Sequence, residues 1–212
     1  MRRAHPGARR GVVRLLRFAD RADAGRQLGL LVRELLLDDA VVLGLPRGGV
    51  PVALEVARAI EAPLDVLVVR KLGVPVQPDL AMGAIGEGGV RVLNAGVPHV
   101  DLDAVEARER VALDRAVQRY RGSRPPVPLE GRTAVVVDDG VATGATALSA
   151  CAVARARGAA GLVLAVPVAP ADWQPPGLAV VCVLRPSPFV AVGRWYVDFG
   201  QTSDEEVLAC LG

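Results

Sequence analysis

Two adjacent acids, Asp138 and Asp139, follow the apolar run Ala134-Val135-Val136-Val137 and precede the loop Gly140-Val141-Ala142-Thr143-Gly144-Ala145-Thr146. Carboxylates in that place suit sugar hydroxyls or a metal ion. The loop suits a phosphate. Its small residues let the backbone approach an anion, and Thr143 and Thr146 bring hydroxyl donors. A helix pattern starts at once, so its first amides can hold the same anion. Acids beside a phosphate cradle would repel it unless they bind another part of the ligand. A plain strand that ends in Asp-Asp before a capped helix is the bland alternative, because Thr and Asp are ordinary turn and cap residues.

Further residues carry compatible chemistry. Pro46-Arg47-Gly48-Gly49 lies between an apolar strand and a helix. There Gly48 and Gly49 expose backbone amides, and Arg47 supplies a fork of donors to an anion. The alternative is a tight turn with a solvent-facing arginine. Arg70 and Lys71 place two cations at the end of the next strand. Ala81 to Gly89 is rich in glycine and reads as a lid that closes over a site and excludes water. Glu87 is the only acid of that stretch, and a solvent-facing turn residue is its expected role, ahead of catalysis or metal binding. His5 and His99 have no visible Asp or nucleophile partner and are read as structural or surface residues. Ser149 and Ser187 sit in no Gly-x-Ser-x-Gly elbow, so a hydrolase triad lacks support.

These residues need a frame. The β-branched run before Asp138 suits a central parallel strand buried on both faces, with its acids at the carboxyl end where such sheets place ligands. Helical spacing covers Asp20 to Leu37, Val50 to Ile60, Leu102 to Tyr120 and the stretch from the loop to about Arg157. Apolar strands read at Val41 to Leu45, Leu64 to Val69, Leu162 to Val168 and Leu178 to Leu184. Arg70 to Leu93 holds two shorter strand-like pieces around a Gly88-Gly89 turn. Strands alternating with helices predict an α/β fold with a parallel sheet and right-handed crossovers. Ser203-Asp204-Glu205-Glu206 reads as a capping box and first helical turn.

Composition narrows the class. Aromatics are only 3% of a chain that is 51% hydrophobic, so the core must be aliphatic, as in α/β layers. A formal net charge of +2 is too small to argue for nucleic acid. Cys151, Cys182 and Cys210 are odd in number and widely spaced, which fits neither a disulfide framework nor a zinc site and suggests a reduced, cytoplasmic setting. No apolar run is long enough to span a bilayer, and no membrane partner is expected. Three segments follow: a basic, disordered tail over residues 1–17, a core over 18–184 and a C-terminal segment over 185–212.

The run from Ala134 to Thr146 closely resembles the signature of the type I phosphoribosyltransferases, which bind 5-phosphoribosyl-1-pyrophosphate (PRPP). The whole chain looks most like a bacterial group of that family with unassigned substrate. The resemblance implies a Rossmann-like parallel-sheet core with a flexible lid loop and a small C-terminal hood. It implies that Asp138 and Asp139 bind the ribose hydroxyls and Mg²⁺, and that Val141, Ala142, Thr143, Gly144, Ala145 and Thr146 hold the 5′-phosphate. Arg47, Gly48, Gly49, Arg70 and Lys71 would hold the pyrophosphate, with Arg70, Lys71 and the two acids serving catalysis. Trp195, Tyr196 and Phe199 fall in the hood, where they either stack on a planar base or form a small core beneath it. Ala142 stands where the 6-oxopurine enzymes usually carry an Asp, which argues against a hypoxanthine–guanine acceptor. The implied reaction is Mg²⁺-dependent transfer of the phosphoribosyl group to a nucleobase-like acceptor, with a homodimer as the common assembly. A regulator of the same fold, a PRPP synthetase and a hydrolase or phosphorylase of ribosyl phosphates are the rival readings.

Overall fold

The computed structural model describes residues 17–212; the rest of the basic tail lies outside the described residues. The aliphatic runs form a five-stranded parallel sheet in the order β2-β1-β6-β7-β8. Its strands are β1 (Ala40–Gly44), β2 (Leu64–Val66), β6 (Thr133–Val137), β7 (Gly161–Val168) and β8 (Ala179–Leu184). β1 and β6 are central and pair from Ala40–Thr133 to Gly44–Val137.

Side-chain alternation along these strands divides the core into two layers. Val42, Val135, Val137 and Val163 face one way, against Leu28 and Val32 of α1 (Arg21–Arg33) and Val52 and Val56 of α2 (Gly49–Ile60). Val41, Leu43, Val136 and Leu164 face the other way, against Ala147, Ala150 and Val153 of α4 (Ala145–Ala156). Fully covered β-branched strands are the expected content of such a sheet.

The region after β2, expected as a lid loop, is built of three strands. β3 (Val69–Val74), β4 (Gln77–Gly86) and β5 (Arg91–Leu93) form an antiparallel sheet. Met82 and Ile85 of β4 and Leu72 of β3 are buried with Val105 and Leu113 of α3 (Leu102–Arg121). Gly83 and Gly86 serve close packing in β4, where a Cβ on Gly86 would run into the Val153 side chain, while Gly88 and Gly89 stand in open space in the turn beyond it.

The expected strand from Leu64 to Val69 is split. Arg121 takes the Val66 carbonyl through Nη2 (2.8 Å), and the Glu87 carboxylate accepts from the Val68 amide (3.4 Å). Side chains therefore satisfy backbone groups that a continued strand would have paired, and the chain leaves the sheet. Glu87 is not a solvent-facing turn residue. It is buried, and Arg121 grips it through Nε (2.5 Å) and Nη2 (3.0 Å) while reaching Asp65 through Nη1 (3.0 Å). α1 stops at Arg33 rather than Leu37, because the chain turns at Leu36, whose φ is +48°.

The C-terminal segment adds α5 (Asp204–Leu211), whose N-terminus carries the expected capping box between Ser203 and Glu206. No helix among the described residues is long and apolar enough to cross a membrane.

Candidate active site

The two central strands end side by side, and their following loops interlock. The Leu45 amide donates to the Val137 carbonyl (2.9 Å), extending the β1–β6 ladder by one residue. The Pro46–Arg47 peptide is cis. Gly48 and Gly49 then pass directly over the acids. A Cβ on Gly49 would sit 2.6 Å from the Val137 carbonyl oxygen and 2.9 Å from the Asp138 Cα. A Cβ on Gly48 would fall on the Asp139 carboxylate. Glycine at these two places is a packing requirement. Gly49→Ala is therefore expected to lower stability by about 1–3 kcal/mol and to displace the loop from the acids; thermal denaturation beside the parent chain measures the loss.

Asp138 and Asp139 differ in environment. Burial pushes the Asp138 carboxyl up to about 8, the neighbouring Asp139 charge adds to the rise, and a hydrogen bond from the Asp139 amide (2.9 Å) opposes it. Burial also raises Asp139, against the pull of Arg21. Arg21 Nε meets Asp139 Oδ2 at 2.9 Å. The same guanidinium donates to the Gly200 carbonyl (2.7 Å) and lies 4.0 Å over the Phe199 ring. Arg21 has no sequence signature: it looks like any basic residue in the first turn of an amphipathic helix.

The loop after the acids is open on one side and braced on the other. Ala142, Thr143 and Thr146 are exposed. Gly144 is buried with φ +81°, and a Cβ there would strike the Trp173 indole. Trp173 Nε1 also donates to the Thr143 carbonyl (3.3 Å), and the Val141 amide donates to Val168 of β7 (2.9 Å). The first intrahelical bond of α4 runs from the Leu148 amide to Gly144 (2.8 Å), so the preceding amides lack helical acceptors and can hold an anion. Trp173 escaped notice in the sequence because it lies in a Pro-rich connection far along the chain from the loop it braces.

A cavity of about 610 Å³ adjoins this loop. Arg47, Arg70 and Thr146 line it, and α3 forms its far wall. Lys71 is not among its lining residues; as the strand neighbour of Arg70 it emerges on the opposite face of β3.

The three hood aromatics do not form a stacking platform. Tyr196 is 1% exposed, and its ring is packed between Phe18 and Phe199 (centroids 5.3 and 4.8 Å away). Its hydroxyl donates to the Asp139 carbonyl (2.6 Å). Trp195 and Phe199 are half-buried against the same cluster. The small core beneath the hood is the arrangement observed for Tyr196, and it braces the acid loop from behind.

The phosphoribosyl transferase domain family model matches residues 21–185. The chain belongs to this family. The matched span of the phosphoribosyltransferase domain begins at Arg21, the partner of Asp139, and covers both interlocked loops. The chain is 58% identical over 204 residues to "Putative phosphoribosyl transferase Rv0571c" of Mycobacterium tuberculosis (strain H37Rv) and to its counterpart in strain CDC 1551, covering 92% of this chain. It spans about half the length of these curated relatives, 46% of each. The crystal structure of TT1426 from Thermus thermophilus superposes with a TM-score of 0.84 at 44% identity, covering 92% of this chain and 97% of that one. The phosphoribosyltransferase domain thus carries its family's parallel-sheet α/β fold, with Tyr196 and α5 beyond the matched span.

Proposed function

We propose that the chain transfers the 5-phosphoribosyl group of PRPP to a nitrogenous base and releases pyrophosphate, in nucleotide salvage or related metabolism. The observation that carries this reading is the interlock at the sheet's carboxyl edge. It supports the reading because the loop that bears Arg47 packs over the half-buried acid pair, and the open helix start at Thr146 and Arg47 both line the adjoining cavity.

Each part has a task in that reaction. The amides and hydroxyls from Val141 to Thr146 hold the 5′-phosphate. Asp138 and Asp139 hold the ribose hydroxyls and favour positive charge on the ring as the bond from C1 to the pyrophosphate oxygen breaks. Arg47 and Arg70 accept the charge of the leaving group, and the C1–nitrogen bond to the base forms on the opposite side. Lys71, whose strand partner Ala84 lines a pocket with Thr143 and Ala145, would join this set from the other face of β3. Trp195 and Phe199 are left to border the base.

Mg²⁺ fits the acid pair. Among the described residues no three His, Cys, Asp or Glu side chains form a metal cluster, but Mg²⁺ is commonly held by one or two carboxylates together with substrate phosphates. Both acids are pushed up by burial, and Asp138 also by the charge of Asp139, so they are a donor set that a divalent cation would relieve. When bound, the ion would neutralise pyrophosphate charge. The three free cysteines suit a reduced, cytoplasmic setting.

Pyrophosphate release from PRPP and Mg²⁺, measured against a panel of nucleobases with a no-base control, tests the assignment. Release with one base, matched by a new nucleotide, is the expected result. Release without any base would indicate hydrolysis. Saturable PRPP binding with no release would make the chain a regulator of the same fold.

A further inference from the structure

The cavity beside the acid loop has four arginines on its walls: Arg47, Arg70, and Arg115 and Arg119 from successive turns of α3. It has one carboxylate, Asp204 at the start of α5. Asp204 makes a close ion pair with Arg119, stands 3.8 Å from Arg47 Nη1 and accepts a 2.6 Å hydrogen bond from the Tyr120 hydroxyl. Neither Arg70 nor Arg115 has an ion-pair partner among the described residues. Arg70 Nε is buried without a hydrogen-bond acceptor.

Elsewhere on α3 the arginines are matched. Arg108 pairs with Glu109, and Arg110 pairs with Glu106. On α3 the arginine without an ion pair among the described residues, Arg115, faces the cavity. Arg47, Arg115 and Arg119 are solvent-exposed, so their repulsion is screened but adds to one positive field, whereas the buried Arg70 donor without an acceptor is costly. A ligand with several negative charges relieves both. A singly charged group would only repeat what Asp204 already supplies.

The geometry points to Arg115 and Arg119 as the second wall of a pyrophosphate-binding site, with Asp204 as an internal carboxylate that the ligand displaces. This rests on the phosphoribosyl-transfer reading, which names the polyanion. Arg47 and Arg70 approach the ligand from the sheet side, and Arg115 and Arg119 approach it from α3. On entry, pyrophosphate takes over the contacts of Asp204 with Arg119 and Arg47.

Isothermal titration of the full chain with inorganic pyrophosphate, and separately with ribose 5-phosphate, tests the inference in the parent and in Arg115→Gln, Arg119→Gln and Asp204→Asn. Arg115→Gln and Arg119→Gln should each weaken pyrophosphate binding about tenfold and leave ribose 5-phosphate unchanged. Asp204→Asn should tighten pyrophosphate binding several-fold, because it removes a competing anion. Arg115 has no internal ion pair to lose, so that variant separates binding from folding; its melting temperature should match the parent's. Unchanged pyrophosphate binding in both arginine variants would overturn the inference and leave the transfer reading standing. A parent chain that binds ribose 5-phosphate but not pyrophosphate would also overturn it. A parent chain that binds neither would remove the transfer reading itself.

Discussion

Asp138→Asn is expected to yield a protein of greatly reduced turnover that is more stable than its parent. The substitution keeps the side-chain oxygen that accepts from the Asp139 amide and removes a carboxyl that burial holds well above the ordinary carboxylate range. In the unfolded chain that carboxyl loses its proton near pH ~4. In the folded chain it keeps the proton to higher pH. The folded state thus binds more protons between those limits, and stability falls as pH rises through them. The variant lacks this slope. It should match the parent at pH ~4 and exceed it by ~1–3 kcal/mol at pH ~8, after allowance for relaxation around the site. Denaturant melts across that range in metal-free buffer measure the gap. Equal stability at alkaline pH would mean that Asp138 is ionised and solvated. Turnover should fall at least about a hundredfold, the scale of losing one preorganised electrostatic contact. Asp139 is a less clean target, because Asp139→Asn also releases Arg21 from its ion pair.

The second large effect lies behind the site. Arg121, Asp65 and Glu87 are all buried, and the trio has two acids to one base. Arg121→Met should lower stability by about 3–5 kcal/mol, since removing the cation strands both carboxylates. Asp65 retains the amides of Val66 and Val127 (2.8 and 2.9 Å), and Glu87 retains only the longer contact with Val68. A loss below about 1 kcal/mol at neutral pH would show that water replaces the guanidinium. The effect extends to the cavity, because the bond from Arg121 to the Val66 carbonyl fixes the point where the chain leaves the sheet and carries Arg70 into the cavity wall.

What could be read in advance follows from range. The run Ala134 to Val137 announces a central strand because burial on both faces demands β-branched residues in unbroken order. Gly48, Gly49 and Gly144 announce loops because no other residue fits there. The break at Leu67-Val68 is silent, since Arg121 and Glu87, which cause it, are distant in sequence. Arg21, Arg115 and Arg119 are equally silent: each sits on a helix whose charged face looks solvated until the tertiary fold sets an acid or a cavity opposite it. Tyr196 illustrates ambiguity of type. An aromatic near a base-binding hood reads equally as platform or core, and only its packing between Phe18 and Phe199 decides.

The pairing of β1 with β6 also bears on how the chain is made. The partners of Ala40 to Gly44 are Thr133 to Val137, so a ribosome must add more than ninety residues before β1 meets its central neighbour. Until then β1 has only β2 beside it and an unpaired edge of aliphatic residues. Helices α1 and α2 can cover one face during this interval, but the face completed by α4 stays open. Nascent chains stalled before Val137 should therefore be the species that chaperones hold and that aggregate when chaperones are scarce.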